Sequence, residues 1–75
     1  MYEKIRGIIQ RTLGREGLPI TPDTDLMSEI GINSLELVEL VCSFEEEFNI
    51  NVPDKDIKKF RYIRDIAEYI EKKTA

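Results

Sequence analysis

The chain has 75 residues, of which eleven are Lys or Arg and fifteen are Asp or Glu, and it contains neither His nor Trp. This length fits one domain, residues 1–75, with a small core, and a hydrophobic content of 41% is too high for a disordered chain. Without His, the chain lacks the commonest general base and the commonest metal ligand. The lone Cys42 excludes an internal disulfide and indicates a reducing, cytoplasmic setting. No apolar run reaches the roughly 18 residues of a membrane span.

The first predicted helix covers residues 2–14, because large aliphatic side chains recur there at helical spacing and Gly14 offers a C-cap. Residues 15–33 follow as a long connection, which Pro19 and Pro22 restrict. A connection of this length without packed structure is unusual in a compact domain. We therefore expect its apolar side chains to pack against the helices: Leu18, Ile20, Leu26, Met27, Ile30 and Ile32.

The second predicted helix covers residues 34–48 and begins after Asn33. The Asn33 side chain can cap the free backbone N–H groups, and Glu36 can reach back to complete a capping box. Ser34 is then the first helical residue, at the positive end of the helix dipole, where a phosphate ester would be stabilised. The plainer interpretation is that Ser34 only helps to cap the helix.

This second helix carries two sets of apolar residues at helical spacing. The core stripe consists of Leu37, Leu40, Val41, Phe44 and Phe48. The second set, which we call the apolar strip, lies on nearly the opposite side and consists of Leu35, Val38 and Cys42, bordered by Glu39, Glu45 and Glu46. An exposed apolar strip among acids is typical of a docking surface, although Val38 and Cys42 could instead simply pack on another helix.

The charge is distributed unevenly along the chain. Residues 16–54 contain ten acids and no Lys or Arg, whereas the two ends together contain all eleven basic residues and five acids. A solubilising surface is the simplest explanation. Because the acids coincide with the helix that Ser34 opens, we expect a field that attracts basic partners and disfavours nucleic acid.

The remaining chain predicts one short helix and one longer helix. Asp54 is expected to cap a short helix at 54–60. The last helix is expected at 62–73, and its start near Arg61 and Tyr62 lacks a good cap residue and should fray. The sequence therefore predicts an all-α fold, a small four-helix bundle of three longer helices and one short helix with a long loop between the first and second.

Several short motifs of the sequence, taken together and in order, resemble those of the acyl carrier protein family. Residues 31–40 resemble the family's Asp-Ser-Leu attachment motif at the start of its second helix, and residues 20–26 resemble the loop before it. Residues 44–50 and 52–54 resemble the end of the second helix and the beginning of the third. Each motif alone is weak, but together, in order and at the right spacing, they are specific and cover nearly the whole chain.

The resemblance implies a discrete carrier without catalysis of its own, whose Ser34, flanked by Asn33 and Leu35, carries a 4′-phosphopantetheine arm. A separate phosphopantetheinyl transferase would add the arm from coenzyme A, and its thiol would hold an acyl group as a thioester. The implied partners of this monomeric chain are acyl-transfer, condensing or acyl-activating enzymes with basic docking patches. The implied partner-binding residues are Glu36, Val38, Glu39, Cys42, Glu45 and Glu46. The implied acyl-chain pocket lies near Leu40, Phe44, Ile57 and Phe60.

The sequence departs from the family pattern at two places. Asn33 replaces the usual Asp, and Arg61 and Tyr62 stand where the family often has Thr. Both departures indicate a specialised carrier with its own partners. Two alternatives stay open: an aminoacyl or peptidyl carrier, and an unmodified helical adaptor that binds a protein through the apolar strip.

Overall fold

A computed structural model describes all residues from Met1 to Ala75, and its regular elements are all helical. Three longer helices and one short helix surround a single core, which confirms the predicted all-α bundle. A five-residue π-helical turn within the long connection was not predicted, and we call it the π-turn. The elements in chain order are α1 (Tyr2–Leu13), the π-turn (Leu26–Ile30), α2 (Ser34–Phe48), α3 (Asp54–Ile57) and α4 (Ile63–Thr74).

The core draws side chains from every one of these elements. Helices α1, α2 and α4 each turn one apolar stripe inward, as their spacing of three and four residues requires. Each large aliphatic or aromatic side chain buried in this way contributes about 1.5–3 kcal/mol. None of the helices combines the length and apolar character needed to cross a membrane. The core residues are Ile5, Ile8, Ile9, Leu26, Ile30, Ile32, Leu37, Leu40, Val41, Phe44, Val52, Ile57, Phe60, Ile63, Ile66, Ala67 and Ile70.

The long connection packs on the bundle as predicted, with one exception. Met27 is 44% exposed, so its predicted burial is wrong. The π-turn explains the difference, because it turns Leu26 and Ile30 toward the core and leaves the three side chains between them, including Met27, outside. The connection residues that pack on or within the core are Leu18, Ile20, Leu26, Ile30 and Ile32.

Helix α3 is shorter than predicted and begins differently. Pro53 occupies its N-cap position without any side-chain hydrogen bond, so the predicted capping role of Asp54 is wrong. Asp54 is instead the first helical residue, where its negative charge still lies near the positive end of the short helix.

The start of α4 is fixed, and the prediction that it frays is wrong. The Asp65 carboxylate accepts hydrogen bonds from the backbone N–H groups of Arg61 at 3.1 Å and Tyr62 at 2.9 Å. The Leu26 N–H also donates to the Arg61 carbonyl at 2.8 Å. The first N–H groups of α4 are also paired, since Ile63 N–H donates to the Thr24 carbonyl at 3.1 Å and Arg64 N–H to the Pro22 carbonyl at 2.9 Å. Tyr62 therefore needs no capping side chain of its own.

Candidate functional site

Ser34 lies at the amino-terminal end of α2, where the chain leaves the long connection. Gly31 closes the π-turn with a φ of 79°, a left-handed conformation that glycine adopts at little steric cost. The Glu36 N–H then donates to the Asn33 side chain at 2.8 Å, and the Asn33 N–H donates to the Glu36 carboxylate at 3.1 Å. This reciprocal pair confirms the predicted capping box.

The Ser34 side chain is exposed and takes no part in the capping box. Since Asn33 and Glu36 already supply the cap, Ser34 is not needed for it. The first turn of the fifteen-residue helix α2 presents backbone N–H groups that favour an anion. The Ser34 hydroxyl is therefore open to another enzyme and lies where a phosphate ester is electrostatically favoured.

An open cleft of about 600 Å³ begins beside Ser34 and is formed by α2, the π-turn, α3 and the turn after α3. Of the predicted pocket residues, Ile57 and Phe60 line this cleft. Leu40 and Phe44 do not line it, because they belong to the closed core with 0% and 2% of their surface exposed. The residues that line the cleft are Met27, Ser34, Leu37, Val38, Asp54, Ile57, Lys58 and Phe60.

Sequence reasoning missed three apolar residues of the cleft. Leu37 and Val38 lie three and four positions after Ser34, and this spacing alone places them on the same side of α2. That signal was present in the sequence. Met27 gave no comparable signal, because its position depends on the unpredicted π-turn.

The apolar strip of α2 is open to solvent. Leu35 is 68% exposed, Val38 is 43% exposed, and Cys42 is also exposed. The alternative in which Val38 and Cys42 pack on another helix of the bundle is therefore wrong. Val38 also lines the cleft, so the apolar strip continues directly into it.

The four acids near the apolar strip are not equivalent. Glu39 and Glu46 are exposed, whereas Glu36 and Glu45 are half-buried. Glu36 is engaged in the capping box, and the Glu45 carboxylate accepts a hydrogen bond from the Val52 N–H at 2.9 Å. Glu45 therefore also braces the turn between α2 and α3, while Glu39 and Glu46 present their charge to solvent.

A buried carboxylate lies on the other side of the π-turn. Asp25 is 5% exposed, and its carboxylate accepts hydrogen bonds from the backbone N–H groups of Met27 and Ser28 and from the Arg61 guanidinium. The bond from Arg61, followed by those from the backbone, lowers the pKa of Asp25 to about 2. Asp25 is therefore charged at neutral pH and holds the π-turn in place.

Comparison with known proteins agrees with this geometry. A family described as "phosphopantetheine attachment site" matches residues 3–70. The acyl carrier proteins of Akkermansia muciniphila and Thermotoga maritima are 44% and 40% identical to the chain, covering 93% and 97% of it and 88% and 90% of their own lengths. A solved structure from Mycobacterium tuberculosis, described as a proposed acyl carrier protein, has a TM-score of 0.86 at 30% identity and covers 93% of both chains. The chain therefore belongs to the acyl carrier protein family.

Proteins of this family are carriers and not catalysts, and their domain carries 4′-phosphopantetheine. The chemistry around Ser34 fits this group, since an exposed hydroxyl, a helix N-terminus and an apolar cleft lie side by side. No group of three or more His, Cys, Asp or Glu side chains is arranged to hold a metal ion.

Proposed function

We propose that the chain is a single-domain acyl carrier that holds acyl intermediates as thioesters on a 4′-phosphopantetheine arm attached to Ser34. It presents them to enzymes of fatty-acid, polyketide or related lipid synthesis. The observation that carries this proposal is the exposed Ser34 at the N-terminus of α2, directly at the mouth of an apolar cleft.

The arm, when bound, supplies the thiol on which the acyl group is carried. The residues of the chain have two tasks around it. The N–H groups at the start of α2 stabilise the phosphate on Ser34, because they form the positive end of the helix dipole. Leu37, Val38, Ile57 and Phe60 offer an apolar surface that removes an acyl chain from water.

The partner surface is the apolar strip with its acids. Leu35 and Val38 would enter an apolar contact, and the exposed Glu39 and Glu46 would attract a basic patch on the partner. Glu36, Cys42 and Glu45 complete this surface at its edges. The proposed partners are a phosphopantetheinyl transferase and acyl-transfer, condensing or acyl-activating enzymes, which the monomeric chain would meet in the cytoplasm.

The alternatives differ in cargo and in modification. An aminoacyl or peptidyl carrier would use the same Ser34, but a cleft with five hydrophobic residues among eight favours an apolar acyl group. An unmodified adaptor would use only the apolar strip and would leave Ser34 unchanged. The lipid-synthesis carrier is therefore the hypothesis that assigns a role both to Ser34 and to the apolar cleft.

Intact-mass measurement tests the proposal. The chain is incubated with coenzyme A and a transferase of broad specificity, and we expect the mass of one phosphopantetheinyl group to be added. Ser34→Ala should abolish the addition, whereas Ser28→Ala, at another exposed Ser in the neighbouring π-turn, should leave it unchanged. Absence of any addition with several transferases would contradict the proposal and favour the adaptor.

A further inference from the structure

The walls of the cleft come from separate parts of the chain. Ser34 and Val38 belong to α2, Met27 belongs to the π-turn, and Phe60 lies in the turn between α3 and α4. Helix α3 has only four residues, too few to be stable by helix propensity alone. The separation of the Met27 and Phe60 walls therefore depends on tertiary contacts, which are the burial of Ile57 and Phe60 in the core and the contacts that fasten the turn after α3 to the π-turn.

The buried Asp25 carboxylate makes this connection. Its Oδ1 accepts hydrogen bonds from the N–H groups of Met27 at 2.9 Å and Ser28 at 3.0 Å, which fixes the start of the π-turn. Its Oδ2 accepts a hydrogen bond from the Arg61 Nε at 2.9 Å. Because Arg61 directly follows Phe60, the Asp25 carboxylate holds Met27, which forms one wall, and also the residue next to Phe60, which forms the other.

Backbone hydrogen bonds run beside this ion pair and keep the two segments adjacent. The Arg61 side chain itself is 68% exposed, so it contributes charge and a directed hydrogen bond and little buried apolar contact. Removal of the guanidinium should therefore loosen the connection without unfolding the bundle. The backbone bonds are Leu26 N–H to Arg61 C=O at 2.8 Å, Ile63 N–H to Thr24 C=O at 3.1 Å and Arg64 N–H to Pro22 C=O at 2.9 Å.

We propose that the Asp25–Arg61 ion pair sets the separation of the Met27 and Phe60 walls and thereby selects the length of apolar acyl chain that the cleft shelters. Arg61 is a positioning residue here, since it does not line the cleft. The inference rests on the proposed function. A cleft with fixed walls shields an acyl chain only as far as the walls allow, and any longer part stays in contact with water.

Thioester protection tests this inference. The carrier is loaded with straight-chain acyl groups from butyryl to dodecanoyl, and cleavage of each thioester by hydroxylamine is compared with cleavage of the same acyl pantetheine free in solution. We expect the wild-type protein to protect one chain length best. Arg61→Met should reduce that protection by about two- to fivefold and broaden the length profile, the range expected for loss of one partly exposed ion pair. Arg61→Lys should recover part of the protection.

The matched control is Arg64→Met. Arg64 also lies at the start of α4, but its ion pair is with the exposed Asp23, and its side chain makes no hydrogen bond or ion pair with Asp25. Its length profile should equal that of the wild type. An unchanged chain-length profile in Arg61→Met, or an equal change in Arg64→Met, would overturn this inference and leave the proposed function standing. Failure of the wild-type protein to accept any arm would overturn the proposed function, and the inference with it.

A second measurement needs no cargo. Relaxation dispersion of the Met27 methyl group reports motion of the cleft wall on the microsecond to millisecond timescale. We expect exchange broadening in Arg61→Met that is absent from the wild type and from Arg64→Met, with all three proteins folded by circular dichroism. The same relaxation in all three would show that the ion pair does not hold the wall.

Discussion

The starts of α2 and α4 are fixed in different ways. At α2, Asn33 and Glu36 cap each other's backbone from three residues apart. At α4, Asp65 supplies a similar local cap, but Arg61 also binds Asp25, which lies 36 positions earlier in the chain. The position of the Ser34 hydroxyl is thus set by its sequence neighbours, whereas the shape of the cleft depends on a contact between distant segments. Stability and cargo choice should therefore be most sensitive at the start of α4, and modification at the start of α2.

The largest expected effect on stability is that of Asp25→Ala. It removes the acceptor of two part-buried π-turn N–H groups, which are left unpaired, and it also removes the partner of the exposed Arg61 guanidinium. We expect the Tm to fall by about 10 °C or more in a thermal melt followed by circular dichroism. Asp23→Ala is the control, since its carboxylate is exposed and pairs only with Arg64. Equal Tm values for the two variants would show that the buried Asp25 carboxylate stabilises the fold no more than the exposed Asp23 carboxylate does.

The local cap at α2 should be worth less. Asn33→Ala removes one acceptor from a helix start that is already open to water, which costs about 1 kcal/mol, or about 4–8 °C in Tm for a domain of this size. Asn51→Ala, at an exposed position in the turn after α2, should leave the Tm almost unchanged. A loss for Asn33→Ala as large as that for Asp25→Ala would remove the distinction between the two helix starts.

The smallest expected effect appears on acidification. The pKa of Asp25 is lowered from 3.8 to about 2, so the Asp25 carboxyl group binds a proton less tightly in the folded state than in the unfolded state. Its contribution to stability is complete above about pH 4 and is lost as the pH falls from about 4 to 2. The difference in Tm between the wild type and Asp25→Asn should narrow over that range. A constant difference down to pH 2 would show that the carboxylate charge is not what stabilises the π-turn.

Features fixed by neighbouring residues could be predicted from the sequence. The capping box of α2, the exposure of Leu35 and Val38, and the helical stripes of the core all follow from spacing within one element. They required no knowledge of which segments meet in the fold.

Features that depend on distant segments could not be predicted. The π-turn, the exposure of Met27 and the fixed start of α4 all involve the contact of the long connection with Arg61 and Tyr62. Nothing in the local sequence around Asp25 indicates that its partner lies 36 residues later. The cleft was located only in part for the same reason, because its walls come from α2, the π-turn, α3 and the turn after α3.

The central claim is that the exposed hydroxyl at the start of α2 carries the arm. Peptide mapping by tandem mass spectrometry, on the protein purified from its own cells, tests this most directly. We expect a phosphopantetheinyl group, free or acylated, on the peptide that contains Ser34 and on no other. Its attachment to another residue, or a Ser34 peptide that is always unmodified, would contradict the account.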